Sequence, residues 1–328
     1  MKRIVFVLLF FSDNDIQAQS CKSNKLDKRV AYALERVLKD LPGHVNTSVE
    51  TIRDIRIETP AFPVEDVVTI RITNDSIPLH VLNPLKSKDL PIVIYYHPGG
   101  FVTPLLPFMK YECWRIARTL NAVLFAVDYR VAPEYKFPAA VNDAYGTFKW
   151  VLANGAHYGG DTRRMIVFGL SAGGNLAAVV CQKAKREGIA DRIRLQVLNC
   201  PSLDNPLNGS RYPSYDRYGE GYFLTKAFCH FYINVYAPGV DIDDTEIAPV
   251  REKELSGLPP ALIISAEFDP LRDEATLYVD RLREAGVPVL HKCFAGQIHC
   301  LLGLPPDARE VKEADSLVLE AMSKYLAN

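Results

Sequence analysis

The stretch that decides the fold spans residues 167–174 and reads V-F-G-L-S-A-G-G. The apolar run 165–168 predicts a buried strand, and residues 175–184 show the apolar face of a helix. Between them, residues 169–173 match the pattern G-x-S-x-G in the strand–turn–helix setting that this pattern requires. Such a turn lifts the serine hydroxyl off the sheet, and its glycines let strand and helix approach closely. We therefore predict that Ser171 is a nucleophile at the carboxyl end of a strand.

Length and composition are those of an ordinary globular protein. The 328 residues are 48% hydrophobic and 23% charged, with a formal net charge of −1. This length leaves room for two average domains, although a large α/β sheet often forms one. The near-neutral charge gives no support to nucleic acid as a partner.

The amino terminus has the pattern of a signal peptide. Met1-Lys2-Arg3 is basic, and the apolar run 4–11 that follows is too short to cross a bilayer. We expect residues 1–20 to be a signal peptide and the protein to be secreted or periplasmic. The alternatives are an N-terminal strand or a misassigned start codon in a cytoplasmic protein. Cys21 also hints at a lipoprotein cysteine, although a good aliphatic residue is missing ahead of it.

The seven cysteines are odd in number, widely scattered and without a C-x-x-C pair. This pattern argues against a disulfide framework and against a zinc site. Most lie in apolar runs, so we expect small core residues, although export leaves one or two disulfide bridges open. The cysteines are Cys21, Cys113, Cys181, Cys200, Cys229, Cys293 and Cys300.

From about residue 91 onward, buried strands alternate with helices. This alternation predicts a mostly parallel sheet that is covered by helices on both faces. Three extended runs come before it, at residues 52–57, 67–72 and 77–82. The later predicted strands are residues 91–96, 123–127, 165–168, 195–198, 260–266 and 287–294. The predicted helices are residues 26–41, 111–120, 139–152, 175–184, 224–236, 271–285 and 311–325.

Residues 205–221 interrupt the alternation and are rich in Tyr, Asn, Gly, Pro and Arg. An insertion after a strand of an α/β sheet lies over the carboxyl edge, where ligands bind. Together with the amphipathic helix 26–41, this insertion is expected to form a cap over the site. The predicted division is a signal peptide (1–20), an N-terminal cap helix region (21–50), a core (51–203 and 247–328) and a cap insertion (204–246).

A serine nucleophile needs a base, and the base needs an orienting acid. In this sheet architecture the chain order is serine, then Asp or Glu, then His. Asp269 follows the apolar strand 261–265 and fits the acid. Glu267 is its rival, whereas Asp273 suits the first turn of the next helix.

The base is expected just after the last strand. His299 lies past strand 287–294, in the loop that begins at Ala295. His291 is the alternative, but it lies inside the strand, where its ring would face the sheet surface. The order and the position therefore both favour His299.

Attack by the serine produces an oxyanion, which preorganised backbone N–H groups must stabilise. Ala172 offers its N–H at the start of the helix after the nucleophile, where the helix dipole favours negative charge. Gly99 and Gly100, in the loop after strand 91–96, bring backbone N–H groups close to a substrate because they lack Cβ. Pro98 has no N–H to donate and is expected to stiffen the turn.

Four blocks make the chain similar to the hormone-sensitive-lipase-type family of α/β hydrolases, from about residue 50 to residue 325. The resemblance implies a mostly parallel eight-stranded sheet with a helical cap, and an esterase for small acyl esters. It implies a homodimer and a reaction that needs no metal or cofactor. The blocks are H-P-G-G-F (97–101, resembling H-G-G-G-F/W), D-Y-R-V-A-P-E (128–134, resembling D-Y-R-L-A-P-E), G-L-S-A-G-G (169–174, resembling G-D-S-A-G-G) and D-P-L-R-D-E (269–274).

The resemblance also assigns roles to the candidate residues. Ser171, Asp269 and His299 would form the catalytic triad. Gly99, Gly100 and Ala172 would be the oxyanion donors. His97 would hold the oxyanion loop without taking part in the chemistry.

Two positions depart from the family pattern. Pro98 replaces the first glycine of the H-G-G-G block, which is not an expected donor, so we expect activity to survive. Leu170 replaces the usual aspartate beside the nucleophile and removes a hydrogen-bond acceptor. Substrate preference and pH behaviour are the properties that this second change would alter.

The expected activity is hydrolysis of short- to medium-chain acyl esters through an acyl-enzyme. The partner is then a small-molecule ester, with no nucleic acid and no membrane span. A second reading is a deacetylase or amidase acting on a sugar, antibiotic or xenobiotic. A third is a non-catalytic receptor, which the presence of all three triad candidates disfavours. Aromatic residues that either stack on a substrate ring or simply pack the cap are Tyr212, Tyr215, Tyr218, Tyr222 and Phe223.

Overall fold

The strands form one eight-stranded sheet in a computed structural model, which describes residues 21, 23–40, 48–54, 59–72, 77–301 and 304–327. They are β1 (Val67–Ile72), β2 (Ile77–Leu82), β3 (Leu90–Tyr96), β4 (Val123–Val127), β5 (Gly160–Leu170), β6 (Ile193–Asn199), β7 (Ala261–Phe268) and β8 (Val289–Ile298). Their order in the sheet is β1-β2-β4-β3-β5-β6-β7-β8. The pairs β1–β2 and β2–β4 are antiparallel and all others are parallel. The mostly parallel sheet predicted from the alternation is confirmed.

Helices cover both faces of the sheet, as the alternation predicts. They are α1 (Lys28–Asp40), α2 (Val49–Arg53), α3 (Pro107–Leu120), α4 (Ala139–Asn154), α5 (Ala172–Arg186), α6 (Pro213–Tyr218), α7 (Lys226–Tyr236), α8 (Arg272–Glu284) and α9 (Arg309–Leu326). Residues of α4, α5 and α8 share one apolar cluster with the sheet, and residues of α3 and α9 share the other. None of the described helices has the length and apolar character needed to cross a membrane.

The central strand β3 shows how the two cores arise from one sequence. Successive side chains of a strand point to opposite faces of the sheet. Ile92 and Ile94 accordingly lie in the cluster with α4 and α5, whereas Val93 lies in the cluster with α3 and α9. All three are fully buried, so the apolar run that predicts this strand reflects burial on both faces.

One predicted extended run is wrong. Ile52 and Arg53 lie in α2, not in a strand. The Ser48 side chain caps this helix by accepting a hydrogen bond from the Thr51 N–H at 3.2 Å. Residues 55–57 of the same run, and the signal peptide predicted at residues 1–20, lie outside the described residues.

The N-terminal helix is fastened beside the end of the sheet. Val30 and Leu34 of α1 pack in one apolar cluster with Phe268 of β7 and Ile298 of β8. Tyr218, from the segment that follows β6, packs against the same cluster. The helix and the insertion therefore meet above the carboxyl ends of β7 and β8.

A disulfide bridge joins Cys21 to Cys293 of β8, across 272 positions of sequence. The sequence argued against a framework of disulfides and left one or two bridges open. The other cysteines carry free thiols, and those of Cys113, Cys181, Cys200 and Cys229 are buried. The expectation of small buried cysteines therefore holds for these four residues.

Candidate active site

Ser171 lies at a strained turn between β5 and α5. Its φ of 52° and ψ of −117° are rare for a residue with a side chain. The neighbouring glycines are sterically required, because a Cβ on Gly169 would lie 2.0 Å from the carbonyl oxygen of Gly173. A Cβ on Gly173 would lie equally close to the carbonyl oxygen of Tyr96 at the end of β3. The G-x-S-x-G sequence thus folds as the predicted elbow.

The structure joins Ser171, His299 and Asp269 in one chain of hydrogen bonds. Asp269 directly follows β7, and its Oδ2 lies 2.7 Å from Nδ1 of His299. Since a carboxylate can only accept, the Nδ1–H donates, and in the neutral ring Nε2 is then left as an acceptor. Ser171 Oγ lies 3.0 Å from that Nε2 and donates to it. The second carboxylate oxygen accepts the Leu271 N–H at 2.9 Å, which fixes the carboxylate in place.

Burial and charge set the state of His299. Its side chain is 6% exposed, and that of Asp269 is 1% exposed. Burial lowers the pKa of His299, but the charge and the hydrogen bond of Asp269 raise it more, so the pKa lies above its ordinary value. The ring can therefore take up a proton in spite of its burial.

The rival acids and base lie elsewhere. Glu267 accepts hydrogen bonds from Ser23 and Gly296 and holds the N-terminal segment. Asp273 lies in the first turn of α8, as predicted, and pairs there with Arg272. His291 contacts Ser265 on the neighbouring strand β7, and burial lowers its pKa to about 4.

Two of the three candidate oxyanion donors, Gly100 and Ala172, line one pocket together with Ser171. Gly99 and Gly100 have φ values of +125° and +61°, which the loop after β3 requires. Within the described residues, neither N–H donates to a protein acceptor. Ala172 is the first residue of α5, where the N–H has no partner within the helix. These donors are therefore available to a ligand.

His97 is fully buried behind this loop. Its ring stacks on Tyr129, with centroids 4.0 Å apart. Its Nδ1–H donates to the Pro98 carbonyl at 2.8 Å, and Tyr129 Oη–H donates to the carbonyl of His97 at 2.8 Å. Burial lowers the pKa of His97 to about 4, so the ring is neutral near pH 7.

A pocket of about 50 Å³ opens above Ser171. Tyr232 of α7 forms part of its wall and packs over Gly100, where a Cβ would lie 2.4 Å from the tyrosine ring. Asn175 of α5 also lines it and donates to the carbonyls of Ser202 and Ile247. Tyr232 and Asn175 cannot be recognised from the sequence, because neither lies in a motif that marks a site.

The two residues that depart from the family pattern line a second cavity. Pro98 and Leu170 border an apolar cavity of about 140 Å³ that extends between α3 and α9. Leu170 directly precedes Ser171, so this cavity lies behind the elbow. The loss of an acidic side chain at this position leaves an apolar surface there.

The aromatic residues of the insertion mostly pack against the protein. Tyr212 and Tyr215 are buried, with exposed fractions of 5% and 1%. The Tyr212 hydroxyl donates to the buried carboxylate of Asp204 at 2.5 Å. Tyr218 and Tyr222 pack against Phe268. These contacts favour cap packing over stacking on a substrate.

Comparison with known proteins decides the family. A family model described as alpha/beta hydrolase fold matches residues 93–303, a span that contains the whole hydrogen-bonded chain. The chain belongs to the α/β-hydrolase fold family. It is of the hormone-sensitive-lipase type and is a carboxylic ester hydrolase, as the sequence blocks predict.

Its relatives include esterases from bacteria and archaea. A carboxylesterase of Mycobacterium tuberculosis is 35% identical to this α/β hydrolase. The match covers 79% of the present chain and 77% of the mycobacterial one. An arylesterase of Saccharolobus solfataricus is 31% identical, over 77% of the present chain and 82% of the arylesterase. An ethyl acetate hydrolase of Pseudomonas putida is 33% identical, over 71% of the present chain and 73% of the relative.

A solved structure supports the same assignment. The hyperthermophilic esterase of the archaeon Pyrobaculum calidifontis matches with a TM-score of 0.82 at 33% identity. The match covers 92% of this esterase and 98% of the archaeal chain. The similarity therefore extends over the sheet and beyond it.

Proposed function

We propose that this carboxylesterase cleaves short- to medium-chain acyl esters with Ser171 as nucleophile, His299 as base and Asp269 as orienting acid. The observation that carries the proposal is the hydrogen-bonded chain from Asp269 through His299 to Ser171, at 2.7 Å and 3.0 Å. His299 Nε2 takes the proton of the serine hydroxyl as Oγ attacks the ester carbonyl. Asp269 keeps the ring in the required tautomer and stabilises the imidazolium that forms.

The oxyanion is stabilised by backbone donors in this proposal. Gly100 and Ala172 line the pocket at Ser171, and Gly99 precedes Gly100 in the loop after β3, so their N–H groups would stabilise the oxyanion. His97 would hold this loop by its hydrogen bond to the Pro98 carbonyl. When the alcohol leaves, it takes the proton from His299. Water then attacks the acyl-enzyme with His299 again as base, which restores the serine.

The size of the pocket supports a short acyl group. The cavity above Ser171 has a volume of only about 50 Å³, which favours a short acyl chain such as acetyl to butanoyl. A relative of this enzyme is named an ethyl acetate hydrolase, which agrees with a small substrate.

We also propose that residues 21–50 and 204–246 form a cap over this site. Leu224 and Tyr232 of the insertion line the pocket above Ser171. Helix α1 packs with Tyr218 of the insertion and with Phe268 and Ile298 of the sheet. Both segments therefore contact strands that end at the proposed acid and base.

The disulfide supports a secreted or periplasmic location for the enzyme. Disulfide bonds persist in oxidising compartments and are rare in the cytosol of ordinary organisms. The bridge also engages the sulfur of Cys21, which a lipid anchor at that residue would require. We therefore favour export without lipidation of Cys21.

The test is hydrolysis of p-nitrophenyl esters from acetate to palmitate by the full chain, with Ser171→Ala as the matched variant. We expect the highest kcat/KM for acetate to butanoate, and a loss of at least about 10³-fold in Ser171→Ala. An acetanilide measured in parallel tests the amidase alternative. Preference for palmitate would refute the proposed acyl size, and an active Ser171→Ala would refute the proposed nucleophile.

A further inference from the structure

Three side chains with metal-binding atoms meet at the carboxyl edge of the sheet. Cys200 directly follows β6, and His299 and Cys300 directly follow β8. The two sulfur atoms and a ring nitrogen of His299 all lie within 4.8 Å of one another. Within the described part of the chain, no other three His, Cys, Asp or Glu side chains are grouped in this way.

The backbone holds the two cysteines against each other. The Cys300 N–H donates to Sγ of Cys200 at 3.1 Å. Both residues have φ in the left-handed region, at 43° for Cys200 and 55° for Cys300. Cys200 is 1% exposed and Cys300 is half-buried, so the pair has one side toward the interior and one toward solvent. Neither thiol takes part in the hydrogen bonds between Ser171, His299 and Asp269.

This donor set suits a thiophilic divalent ion. Zn²⁺ binds cysteine sulfur at about 2.3 Å and histidine nitrogen at about 2.0–2.1 Å, in tetrahedral geometry. Ligand atoms in such a site are about 3.5–3.8 Å apart, so the three groups here would need to move by only about 1 Å. We propose that Cys200, Cys300 and His299 bind Zn²⁺ and that the bound ion inhibits the esterase.

Inhibition follows from the position of the imidazole. Nδ1 of His299 is bonded to Asp269, and Nε2 is bonded to Ser171. A metal ion on either nitrogen removes one of these two hydrogen bonds, so the metal-bound ring cannot take the serine proton. The thiols lose their protons to solvent as the ion binds. This inhibition rests on the proposed role of His299, whereas metal binding does not.

The first experiment titrates Zn²⁺ into the full chain, in buffer free of thiols, and measures hydrolysis of p-nitrophenyl acetate. Each variant is compared with its own rate in excess chelator. We expect reversible inhibition of the wild type and a rise of at least about tenfold in the inhibitory Zn²⁺ concentration for Cys200→Ser and for Cys300→Ser. Cys181→Ala removes a buried thiol from α5, outside the cluster, and should leave the inhibition unchanged.

A second experiment does not depend on activity. Co²⁺ added to Ser171→Ala should give the absorption of a thiolate–cobalt bond, and the absorption should be lost on adding Cys200→Ser or Cys300→Ser to that variant. If Co²⁺ gives this absorption but Zn²⁺ does not change the wild-type rate, the metal site is correct and the proposed role of His299 as base is wrong. Absence of the absorption would overturn the metal site itself.

The thiol count provides a further check on the site. Denatured protein should contain five free thiols, because the structure bridges only Cys21 and Cys293. A count of three, with Cys200 and Cys300 joined, would overturn the proposal. Equal zinc inhibition of the wild type and both cysteine variants would overturn it as well.

Discussion

Gly173 occupies a crowded position at the elbow. A Cβ there would lie 2.0 Å from the Tyr96 carbonyl oxygen and 2.7 Å from that of His97. Both are backbone atoms, so no side-chain rotation can relieve the overlap. The missing side chain lets α5 start directly against the loop that carries the proposed oxyanion donors.

We expect Gly173→Ala to lower the free energy of unfolding by about 3 kcal/mol or more, because backbone would have to shift. Gly146 of α4 is the matched control, since no heavy atom lies within 4 Å of a Cβ built there. Gly146→Ala should instead stabilise the helix by about 0.5–1 kcal/mol. Urea denaturation of both variants measures the difference. Equal effects in the two variants would show that the crowding at Gly173 is unimportant.

At the scale of single residues, the sequence predicts those candidate site residues that a neighbouring strand or motif marks. Ser171, Asp269 and His299 could be chosen because each follows a predicted strand, in the chain order serine, acid, histidine. The structure joins the three by hydrogen bonds. The partners of Glu267 could not be inferred in this way. They come from Ser23 and Gly296, which are far apart in sequence and carry no motif.

At the scale of elements, most strands and helices of the core follow from periodicity, but α2 does not. Ile52 has the β-branched side chain typical of strands, yet it lies in a helix capped by Ser48. Arg53 of this helix donates to the carbonyl of Val102, next to the loop after β3, and to the carbonyl of Ala132, in the segment after β4. Such tertiary contacts override local propensity and cannot be read from a short window of sequence.

Glu267 at the end of β7 fastens the segment before α1. Its carboxylate accepts the N–H and hydroxyl of Ser23, and the N–H groups of Asn24 and Gly296, at 2.7–3.0 Å. Burial raises the pKa of Glu267, but these hydrogen bonds lower it more, so the pKa lies below its ordinary value. The carboxylate therefore stabilises the fold above the unfolded-state pKa, and this stability is lost as pH falls through the folded-state pKa.

We expect Glu267→Gln to lower the free energy of unfolding by about 2 kcal/mol at pH 7, because an amide N–H₂ then faces N–H donors. The difference from wild type should begin to shrink as pH falls below about 4.3, the pKa of an unfolded-chain glutamate, and should be smallest below the lower folded-state pKa, where the folded wild-type carboxylate is protonated. Thermal denaturation of both proteins at a series of pH values measures this difference in stability. Glu320→Gln, at an exposed position of α9, is the control and should change nothing. A difference from wild type that is independent of pH would contradict the role of the charge.

At the scale of the whole molecule, the parallel sheet collects the functional side chains. Five candidate residues each come directly after a strand: His97, Ser171, Cys200, Asp269 and His299. Because parallel strands end at one edge, residues far apart in sequence meet there. The blocks around Ser171 and Asp269 could be recognised one by one. The grouping of Cys200 with Cys300 could not, because it depends on β6 and β8 lying on either side of β7.

The disulfide between Cys21 and Cys293 closes nearly the whole chain into one loop. Cys293 lies in β8, five residues before Ile298, against which Val30 of α1 packs. The bridge therefore holds the N-terminal helix beside the strand that leads to His299. Its loss should affect both the stability of the fold and the heat resistance of the activity.

We expect replacement of Cys21 and Cys293 by serine to lower the free energy of unfolding by about 2–5 kcal/mol, because the unfolded chain gains the freedom that the long loop denies it. A reductant should destabilise the wild type by a similar amount and leave the double variant unchanged. Denaturation with and without reductant measures both effects. The same samples, heated and then assayed with p-nitrophenyl acetate, should lose activity at a lower temperature without the bridge. A wild type that is indifferent to reductant would mean that the bridge contributes nothing to stability, and that packing of α1 on Phe268 and Ile298 alone holds the helix in place.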